Sequence, residues 1–268
     1  MHSSAKTKYQ KLERKLKEYG KTLIAYSGGV DSTFLISAAI KTLGPQNVLA
    51  ITAVSETYPA AELKQAKDLS RILKVPHRII RTEELKNKRF SSNPQDRCFY
   101  CKDELFRKLS QEAKKRGMIL CDATNYSDRT DYRPGRRAAK KWHVASPLAE
   151  ARMTKDDIRA LSKAMRLKTW NLPAQACLAS RIPYGTELTT QRLSRIEQGE
   201  IIMKKLGFSQ IRLRDHGDIV RIETDSASIE RLAQPRYRQA VARGLKKLGW
   251  RYLALDLEGY RTGSLKPA

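Results

Sequence analysis

The sequence predicts an α/β fold in which a parallel sheet is covered by helices on both faces and is followed by a small α+β unit. Two observations lead to this prediction. Short apolar segments alternate with helical segments through the first half of the chain, and short strands of alternating polarity appear in the second half. The length of 268 residues and the hydrophobic share of 40% are enough for one ordinary domain and one small domain.

In the first half, apolar runs predict buried strands, and apolar residues that recur every three or four positions predict amphipathic helices. Thr154 is suited to a helix N-cap because Asp156 and Asp157 follow it in the first turn. Alternation of strands and helices is typical of a parallel sheet with both faces buried. Strands are expected at 22–26, 48–54, 77–80 and 118–122, and helices at 32–43, 60–73, 103–116 and from 154 onward.

In the second half, the pattern changes to short strands and helices without strict alternation. His216 and Gly217 are typical of a tight turn between two strands. Gly207 is expected to end one helix, and Pro235 is expected to separate two others. Helices are expected at 189–206, 226–233 and 237–248, and strands at 210–214, 218–223 and 252–257.

The charge of the chain points to anionic ligands. Lys and Arg number 53 against 28 Asp and Glu, a formal net charge of +25. Such a field attracts nucleic acids, nucleotides and phosphorylated small molecules without choosing among them. No apolar run approaches the ~18 residues of a membrane-spanning helix. The N-terminal segment has neither an apolar stretch nor a secretory cleavage pattern, so a cytoplasmic protein without a membrane partner is expected.

The strongest local feature is the hexapeptide SGGVDS at 27–32, which follows an expected strand and opens an expected helix. Backbone N–H groups and the helix dipole collect an anion at such a place. Gly28 and Gly29 allow the backbone to approach phosphate oxygens closely, and the hydroxyls of Ser27 and Ser32 can donate to the same oxygens. Asp31 would repel a phosphate unless a cation lay between them, which suggests Mg²⁺. The alternative without a ligand is a Gly-Gly turn followed by a helix that Asp31 caps.

The hexapeptide resembles the PP-loop of the ATP pyrophosphatases, which include GMP synthetase, NAD synthetase, argininosuccinate synthetase and tRNA-thiolating enzymes. The Walker A pattern is absent. The segment 122–128 (DATNYSD) looks like a GTNxxD element of that group, with Ala123 in place of glycine. The resemblance implies that ATP is cleaved between its α and β phosphates and that AMP is transferred to the substrate. Beyond the loop itself, it implies nucleotide contacts at Ala25, Ala53, Thr124, Asn125 and Asp128.

Four cysteines raise the question of a metal site. In a cytoplasmic chain, the pair Cys98 and Cys101 points to a metal, an iron–sulfur cluster or redox chemistry. Together with Cys177, the pair can hold a 4Fe–4S cluster with one iron left without a protein ligand. Zinc is an alternative, although no histidine lies close in sequence to the cysteines. Thiols without a metal are a further alternative. Cys121 ends an expected buried strand and is interpreted as a core residue.

Four further segments resemble the LarE family, whose members are ATP-dependent sulfur-insertion enzymes that build the nickel-pincer nucleotide cofactor of lactate racemase. The resemblance runs from the PP-loop to Arg261, nearly the whole chain. It implies a PP-loop domain over 1–175 and a C-terminal α+β sulfur-transfer and substrate domain over 176–268. The four segments are 131–135 (DYRPG), 177–185 (CLASRIPYG), 211–216 (IRLRDH) and 255–261 (LDLEGYR).

The resemblance also implies a reaction. ATP would adenylylate a carboxylate of pyridinium-3,5-biscarboxylic acid mononucleotide and release pyrophosphate, and a sulfur nucleophile would then displace AMP to form a thiocarboxylate. In one branch of the family a cysteine matching Cys177 gives up its own sulfur. In the other branch that cysteine and a Cys-x-x-Cys pair hold a 4Fe–4S cluster that passes on sulfide. Cys98 and Cys101 indicate the cluster branch. Sulfide or a sulfur-donor protein would be a partner, and a homo-oligomer, a hexamer in relatives, is expected.

The site residues divide into a catalytic set and a phosphate-binding set. Arg212 and Arg214 alternate along an expected strand and so point to one face, where two guanidinium groups can clamp a phosphate. The alternative without phosphate binding is that both arginines lie on an exposed strand face and pair with carboxylates. Glu200 is expected to bind a metal or to orient Arg214. The catalytic set is Cys177, Asp31, Lys102, Ser180 and Arg181, and the phosphate-binding set is Arg133, Arg212, Arg214 and Glu200.

Three other functions remain alternatives at this point. A tRNA thiolase of the PP-loop class can also combine this loop with three cysteines and a 4Fe–4S cluster, and the charge of +25 favours a nucleic-acid partner. Against it, no recognisable RNA-binding appendage is present. A non-enzymatic binder on a degenerate loop is disfavoured by the intact Ser27, Asp31 and Ser32. An enzyme of the NAD synthetase kind leaves the three cysteines without a role.

Overall fold

The computed structural model describes residues 3–129, 134–173, 176–261 and 264–265 of the chain. It divides into two compact units. The first comprises Met1–Glu84 and Asp96–Gln175, and the second comprises Leu85–Gln95 and Ala176–Ala268. The segment 85–95 therefore packs with residues far along the chain. None of the described helices has the length and apolar character needed to cross a membrane.

The first unit alternates strands and helices as the sequence pattern predicts. Short 3₁₀ turns lie at Pro45–Asn47, Glu84–Lys86 and Tyr126–Arg129. Up to residue 164 the helices and strands are, in chain order, α1 Ser3–Tyr19, β1 Thr22–Ala25, α2 Val30–Leu43, β2 Val48–Val54, α3 Ala60–Ile72, β3 His77–Arg81, α4 Lys88–Ser91, α5 Arg97–Lys115, β4 Ile119–Cys121, α6 Gly135–Lys141, α7 Pro147–Glu150 and α8 Lys155–Ala164. Helix α4 belongs to the second unit.

Four parallel strands form the sheet of the first unit in the order β3-β2-β1-β4. The chain moves outward from β1 to β3 and then returns to place β4 on the other side of β1. Such a reversal creates a crevice at the carboxyl ends of β1 and β4, where ligands bind in open α/β sheets. The loop after β1 and the segment after β4 both begin at this edge.

Both faces of the central strands β1 and β2 are buried, and the parallel strand order confirms the predicted α/β class. Successive residues of β1 point to opposite sides, so Ile24 joins one apolar cluster and Leu23 joins the other. The first cluster includes Phe34 of α2 and Ile158 of α8, and the second includes Phe106 of α5. Burial on both faces is the reason that these strands read as continuous apolar runs.

One expected boundary is wrong in a way that matters for the site. Helix α5 begins at Arg97 and not at Asp103, so Cys98 and Cys101 lie within its first turns and not in a preceding loop. Phe99 packs against the apolar cluster of α5 and α6, and this packing continues the helix toward its N-terminus. The other expected helices and strands begin and end within two residues of their observed bounds.

The second unit is a small α+β arrangement. Strands β5 and β6 are antiparallel and β6 and β7 are parallel, in the order β5-β6-β7. Helix α9 lies so close to β5 that a Cβ at Gly199 would be 2.5 Å from Leu213 Cδ1. A 3₁₀ turn lies at Leu178–Arg181, and the remaining elements are α9 Thr190–Lys205, β5 Ile211–His216, β6 Ile219–Thr224, α10 Ser226–Ala233, α11 Pro235–Lys246 and β7 Tyr252–Leu255.

Asn93 explains why 85–95 joins the second unit. Its side-chain amide donates to the carbonyl oxygens of Pro183, at 2.7 Å, and Thr186, at 3.0 Å. The amide of Gly185 donates back to the Asn93 carbonyl at 2.9 Å. The side chain is buried, so these bonds are shielded from water. The segment therefore braces the loop that follows Cys177.

Candidate functional site

The loop between β1 and α2 has the backbone shape that phosphate binding requires. Gly28 has a φ of +73°, a conformation that residues with a side chain rarely adopt. A Cβ at this position would also lie 3.2 Å from both Cα and Cβ of Ala66 on α3. Gly29 occupies the N-cap position of α2 and brings no capping side chain. The first amides of the helix are therefore directed at the crevice, where an anion can accept their hydrogen bonds.

Neighbouring side chains hold this loop through its carbonyl groups. Tyr58 Oη donates to the Ser27 carbonyl at 2.9 Å, and Gln65 Nε2 donates to the Gly28 carbonyl at 2.9 Å. The Oγ atoms of Ser27 and Ser32 are 3.2 Å apart. The amides of Ser27 and Gly29 make only long contacts of 3.4 Å, to Ser32 Oγ and Ser27 Oγ, so a phosphate can replace these contacts.

Asp31 lies in the first turn of α2 and contacts a lysine that the sequence analysis did not select. Lys155 Nζ is 2.5 Å from Asp31 Oδ2, although the two residues are separated by 124 positions. Asp31 Oδ1 is buried and has no hydrogen-bond partner among the described residues. A lysine in the first turn of a helix opposes the helix dipole, and that unusual position was the available sequence signal for Lys155.

The residues after β4 form a tight turn at the carboxyl edge of the sheet. Asp122 accepts hydrogen bonds from Thr124 Oγ1 and Ser146 Oγ, both at 2.7 Å. Asn125 and Asp128 are joined by two side-chain to backbone hydrogen bonds of 3.1 and 3.2 Å. The predicted nucleotide contacts at Thr124, Asn125 and Asp128 thus lie in one turn, and their side chains shape it. Predicted contacts Ala25 and Ala53 lie at the ends of β1 and β2.

The cysteine pair lies at the start of α5. Cys98 and Cys101 are one helical turn apart, so both thiols lie on the same face of the helix. Lys102 follows them, with its Nζ 5.2 Å from the centre of the Phe106 ring. Helix α6 begins close by, since a Cβ at Gly135 would lie 2.9 Å from Lys102 Cγ. Arg133, a predicted phosphate ligand in the preceding segment, lies outside the described residues.

Cys177, in the second unit, is exposed and begins the 3₁₀ turn Leu178–Arg181. Three groups donate to its carbonyl oxygen: Ser180 Oγ at 2.8 Å, Arg181 Nη1 at 2.9 Å and the Ser180 amide at 3.0 Å. Arg181 Nη1 also contacts the Ala176 carbonyl. Hydrogen bonds to its backbone carbonyls thus hold the loop in place, while Cys177 remains exposed.

Arg181 is a buried structural cation. Only 3% of its side chain is exposed, and its guanidinium pairs with both carboxylate oxygens of Glu200, at 3.0 and 3.1 Å. Glu200 also accepts from the Leu213 amide at 3.3 Å. Such a bidentate pair fixes the orientation of both the guanidinium plane and the carboxylate plane. Glu200 therefore orients Arg181, and the expectation that it orients Arg214 is wrong.

Arg214 has its own partner. Its Nη2 is 2.6 Å from Glu223 Oε2, and its Nη1 donates to the Ser180 carbonyl at 2.9 Å. Glu223 is fully buried, and its carboxylate also accepts a hydrogen bond from Arg221 Nη2 at 3.1 Å. Because Glu223 lies on the neighbouring strand β6, nine positions from Arg214, no helical or strand periodicity indicated this pair. Arg214 thus binds the Cys177 loop to the sheet.

Arg212 differs from its two neighbours. Among the residues that the structure describes, no carboxylate lies within ion-pair distance of it, and its guanidinium lies over the Tyr260 ring with Cζ 5.3 Å from the ring centre. Burial lowers the pKa of Arg212 below its ordinary value, and the charge of Arg181 adds to this shift. A guanidinium keeps its charge under such a shift. Arg212 is therefore the arginine of this group whose charge is left to bind an anion.

The fourth cysteine is excluded from metal chemistry by its position. Cys121 is fully buried in the apolar cluster beside α2, and burial raises the pKa of its thiol well above the ordinary value. A metal ligand must be a thiolate. Within the described ranges, no group of three or more His, Cys, Asp or Glu side chains is close enough to hold a metal ion. Cys98 and Cys101 belong to one unit and Cys177 to the other.

Comparisons with known proteins identify one matching family model and several similar sequences. A family model described as NAD synthase matches residues 5–130. A pyridinium-3,5-bisthiocarboxylic acid mononucleotide synthase of Lactiplantibacillus plantarum is 34% identical, covering 97% of this chain and 94% of its own length. An uncharacterised protein of Synechocystis sp. is 38% identical with 97% of both chains covered. An uncharacterised protein of Methanocaldococcus jannaschii is 28% identical with 94% and 96% covered.

Proposed function

The chain belongs to the LarE family, that of the pyridinium-3,5-bisthiocarboxylic acid mononucleotide synthase, and from this premise we propose that it is an ATP-dependent sulfurtransferase. Its substrate is pyridinium-3,5-biscarboxylic acid mononucleotide, and its product is the precursor of a nickel-pincer nucleotide that serves lactate racemase or a related enzyme. The observation that carries this proposal is an exposed Cys177 thiol on a loop held by two arginines, in a chain that also has a PP-loop.

The reaction proceeds in two steps, activation of the carboxylate and transfer of sulfur. A carboxylate oxygen of the substrate attacks the α-phosphorus of ATP, the bond to the β-phosphate oxygen breaks, and pyrophosphate leaves. A sulfur nucleophile then attacks the acyl carbon, and AMP leaves with the bonding electrons. A free carboxylate is a poor electrophile, so activation by AMP is what makes the second step feasible. Two rounds give the dithio product.

The first unit supplies the ATP site. The amides of the loop around Gly28 and Gly29 bind the phosphates, and the helix dipole of α2 adds to the attraction. The residues fit a magnesium ion, because Asp31 Oδ1 is a buried carboxylate oxygen without a partner among the described residues. Mg²⁺ prefers such oxygen ligands together with phosphate oxygens. When bound, it neutralises charge on the departing pyrophosphate.

The three thiols are chemically suited to an iron–sulfur cluster, although the described residues contain no group of three metal ligands close together. Cys98 and Cys101 share one helix face, Cys177 is exposed, and thiolates are the ligands that such clusters require. These three residues would hold a 4Fe–4S cluster. When bound, the cluster would supply the sulfide for transfer. The chain's own contribution is to hold the Cys177 loop through Arg181 and Arg214.

We assign the other residues by unit. The nucleotide-binding domain is expected over residues 1–175 and the substrate domain over 176–268, with Arg212 binding the substrate phosphate. Lys102 and Ser180 are proposed to contact the substrate carboxylate that reacts. Sulfide or a sulfur-donor protein is the proposed sulfur source, and a homo-oligomer is the proposed assembly.

Lys155, whose ammonium group pairs with Asp31 of the phosphate loop, is proposed to contact the ATP phosphates. Lys155→Met is therefore expected to lower kcat/KM for ATP by roughly 10- to 100-fold, because this charge-assisted contact is lost and Asp31 is left without its cation. Pyrophosphate release in the presence of the mononucleotide measures this. Lys163→Met is the matched control, because Lys163 lies on the same helix over the Trp170 ring. Equal losses in both variants would contradict a phosphate role for Lys155.

The proposed function is tested on anaerobically purified protein reconstituted with iron and sulfide. We expect about four irons and four acid-labile sulfides per chain, pyrophosphate release that depends on the mononucleotide, and a thiocarboxylate product. Cys98→Ala should lose the iron, and Cys121→Ala should keep it. If iron-free protein still formed thiocarboxylate, the sulfur source would be Cys177 and not the cluster. Co-purified tRNA with turnover on tRNA alone would favour the thiolase alternative, which the charge of +25 supports.

A further inference from the structure

Tyr260 is a neighbour of Arg212, which is the one of the three arginines Arg181, Arg212 and Arg214 without a carboxylate partner among the described residues. Arg181 and Arg214 are each neutralised by a buried glutamate, whereas Arg212 has no such partner within residues 176–261. Its Nη1 donates to the carbonyl of its own neighbour Ile211 at 2.8 Å, and its guanidinium lies over the Tyr260 ring. The ring therefore limits where the rest of the guanidinium can point.

The backbone fixes the ring in this place. After β7, the chain continues beside β6, since the Asp256 amide donates to Ile222 O at 3.0 Å and the Tyr260 amide donates to Thr224 O at 2.9 Å. Gly259 between them has a φ of +70°, and a Cβ there would lie 2.6 Å from the Thr224 carbonyl oxygen. Only glycine fits this approach.

Thr224 itself is fully buried and cannot shift to accommodate the segment. Its Oγ1 donates to the Gln210 carbonyl at 2.8 Å, which joins the end of β6 to the residue before β5. Arg212 follows on β5, paired in register with Glu223 of β6. The same short stretch of sheet thus carries both the arginine and the anchor of the ring.

We propose that Tyr260 is a positioning residue that holds the Arg212 guanidinium in the orientation that binds the phosphate of the nucleotide substrate. The ring lies against the guanidinium, with Cζ 5.3 Å from the ring centre, so the N–H groups on the side away from the ring stay directed at an anion. This inference rests on the proposed function. It assigns to Tyr260 no contact with the reacting atoms.

The physical reason for an effect on binding is pre-organisation. A free arginine side chain loses rotamer freedom when it binds a phosphate, and a side chain held against a ring has lost part of that freedom beforehand. Removing the ring should therefore weaken substrate binding. It should leave the ATP site unaffected, because that site is built by residues of the first unit.

The test compares Tyr260→Leu, Tyr260→Phe, Arg212→Met and the double variant Tyr260→Leu/Arg212→Met. We expect Tyr260→Leu to raise KM for the mononucleotide by about tenfold, with kcat and KM for ATP changed by less than about twofold, on the scale of a desolvated cation–π contact. Tyr260→Phe keeps the ring and should restore most of the affinity. The double variant should be no worse than Arg212→Met, because the ring acts through the arginine.

Equilibrium binding gives a readout that does not require turnover. Nicotinic acid mononucleotide, a pyridinium carboxylate nucleotide, serves as the probe in calorimetry, with Tyr252→Leu as the matched control because Tyr252 is an exposed tyrosine of the same unit. Weaker probe binding by Tyr260→Leu and unchanged binding by Tyr252→Leu would support the inference.

Two results would overturn the inference while the proposed function stands. One is wild-type probe affinity in Tyr260→Leu, and the other is a fall in kcat together with a rise in KM for ATP, which a general structural role would cause. If instead wild-type protein formed no thiocarboxylate and bound no mononucleotide, the proposed function would fail and the inference would fall with it.

Discussion

Cys177→Ala is expected to lower thiocarboxylate formation by about 100-fold or more, the largest loss of any single substitution in the site. In both candidate mechanisms this thiol is required, either as a ligand of the sulfur-carrying cluster or as the sulfur source. Adenylylation does not use it, so pyrophosphate should still be released in a first turnover. Thiocarboxylate is measured by mass spectrometry and pyrophosphate by a coupled assay.

Cys121→Ala is the control, because Cys121 is buried in the core of the first unit and its thiol stays protonated. It should cost some stability and retain sulfur transfer. Substantial thiocarboxylate from Cys177→Ala would remove this residue from the mechanism.

The same experiment separates the two sulfur sources. After turnover, intact Cys177 in wild-type protein indicates that the sulfur came from outside the chain. Loss of the elements of hydrogen sulfide from Cys177, with no more than one sulfur transferred per chain, indicates that the residue was consumed. The first outcome agrees with the proposed cluster and the second contradicts it.

Glu200→Gln is expected to lower the free energy of unfolding by about 3 kcal/mol or more. The substitution keeps the size of the side chain and removes the charge, which leaves the Arg181 guanidinium, only 3% exposed, without its counter-ion. Since Arg181 also holds the carbonyl of Cys177, activity should fall together with stability. Urea unfolding followed by circular dichroism measures the first effect.

Glu230→Gln tests whether any lost carboxylate in this unit has the same effect. Glu230 is exposed on α10, and its loss should change stability by less than about 0.5 kcal/mol. The double variant Arg181→Met/Glu200→Leu should recover much of the stability, because it removes both buried charges. It should not recover activity, since the Cys177 loop loses its support. An unaltered unfolding midpoint in Glu200→Gln would contradict this account of the pair.

Local pattern was enough to predict most elements of both units, although the short helices α4, α6 and α7 were not among them. Strands β1 and β2 are apolar runs because both of their faces are buried, and the phosphate loop is identified by two glycines between a strand and a helix. Thr154 was recognised as an N-cap from the residues beside it, and the structure forms the expected capping box with Asp157. In each case the residue pattern that identifies the feature lies within a few positions, so sequence spacing reports it directly.

The start of α5 shows where local pattern was insufficient. Residues 97–102 carry no strong helix signal of their own, and the helix extends through them because Phe99 packs against the apolar cluster of α5 and α6. That contact depends on α6, which is too short to be recognised by periodicity. As a result, the geometry of the cysteine pair followed from packing and not from the pattern around it.

The sequence by itself determined the fold class, the position of the phosphate loop and the residue types of the site. Only the tertiary structure decided which charges neutralise each other: Arg181 with Glu200, Arg214 with Glu223, and Lys155 with Asp31. The physical reason is that an ion pair depends on distance in space, and neither helical nor strand periodicity encodes contacts between different elements. Arg212, left without a carboxylate among the described residues, could therefore be distinguished from Arg214 only once its neighbours were known.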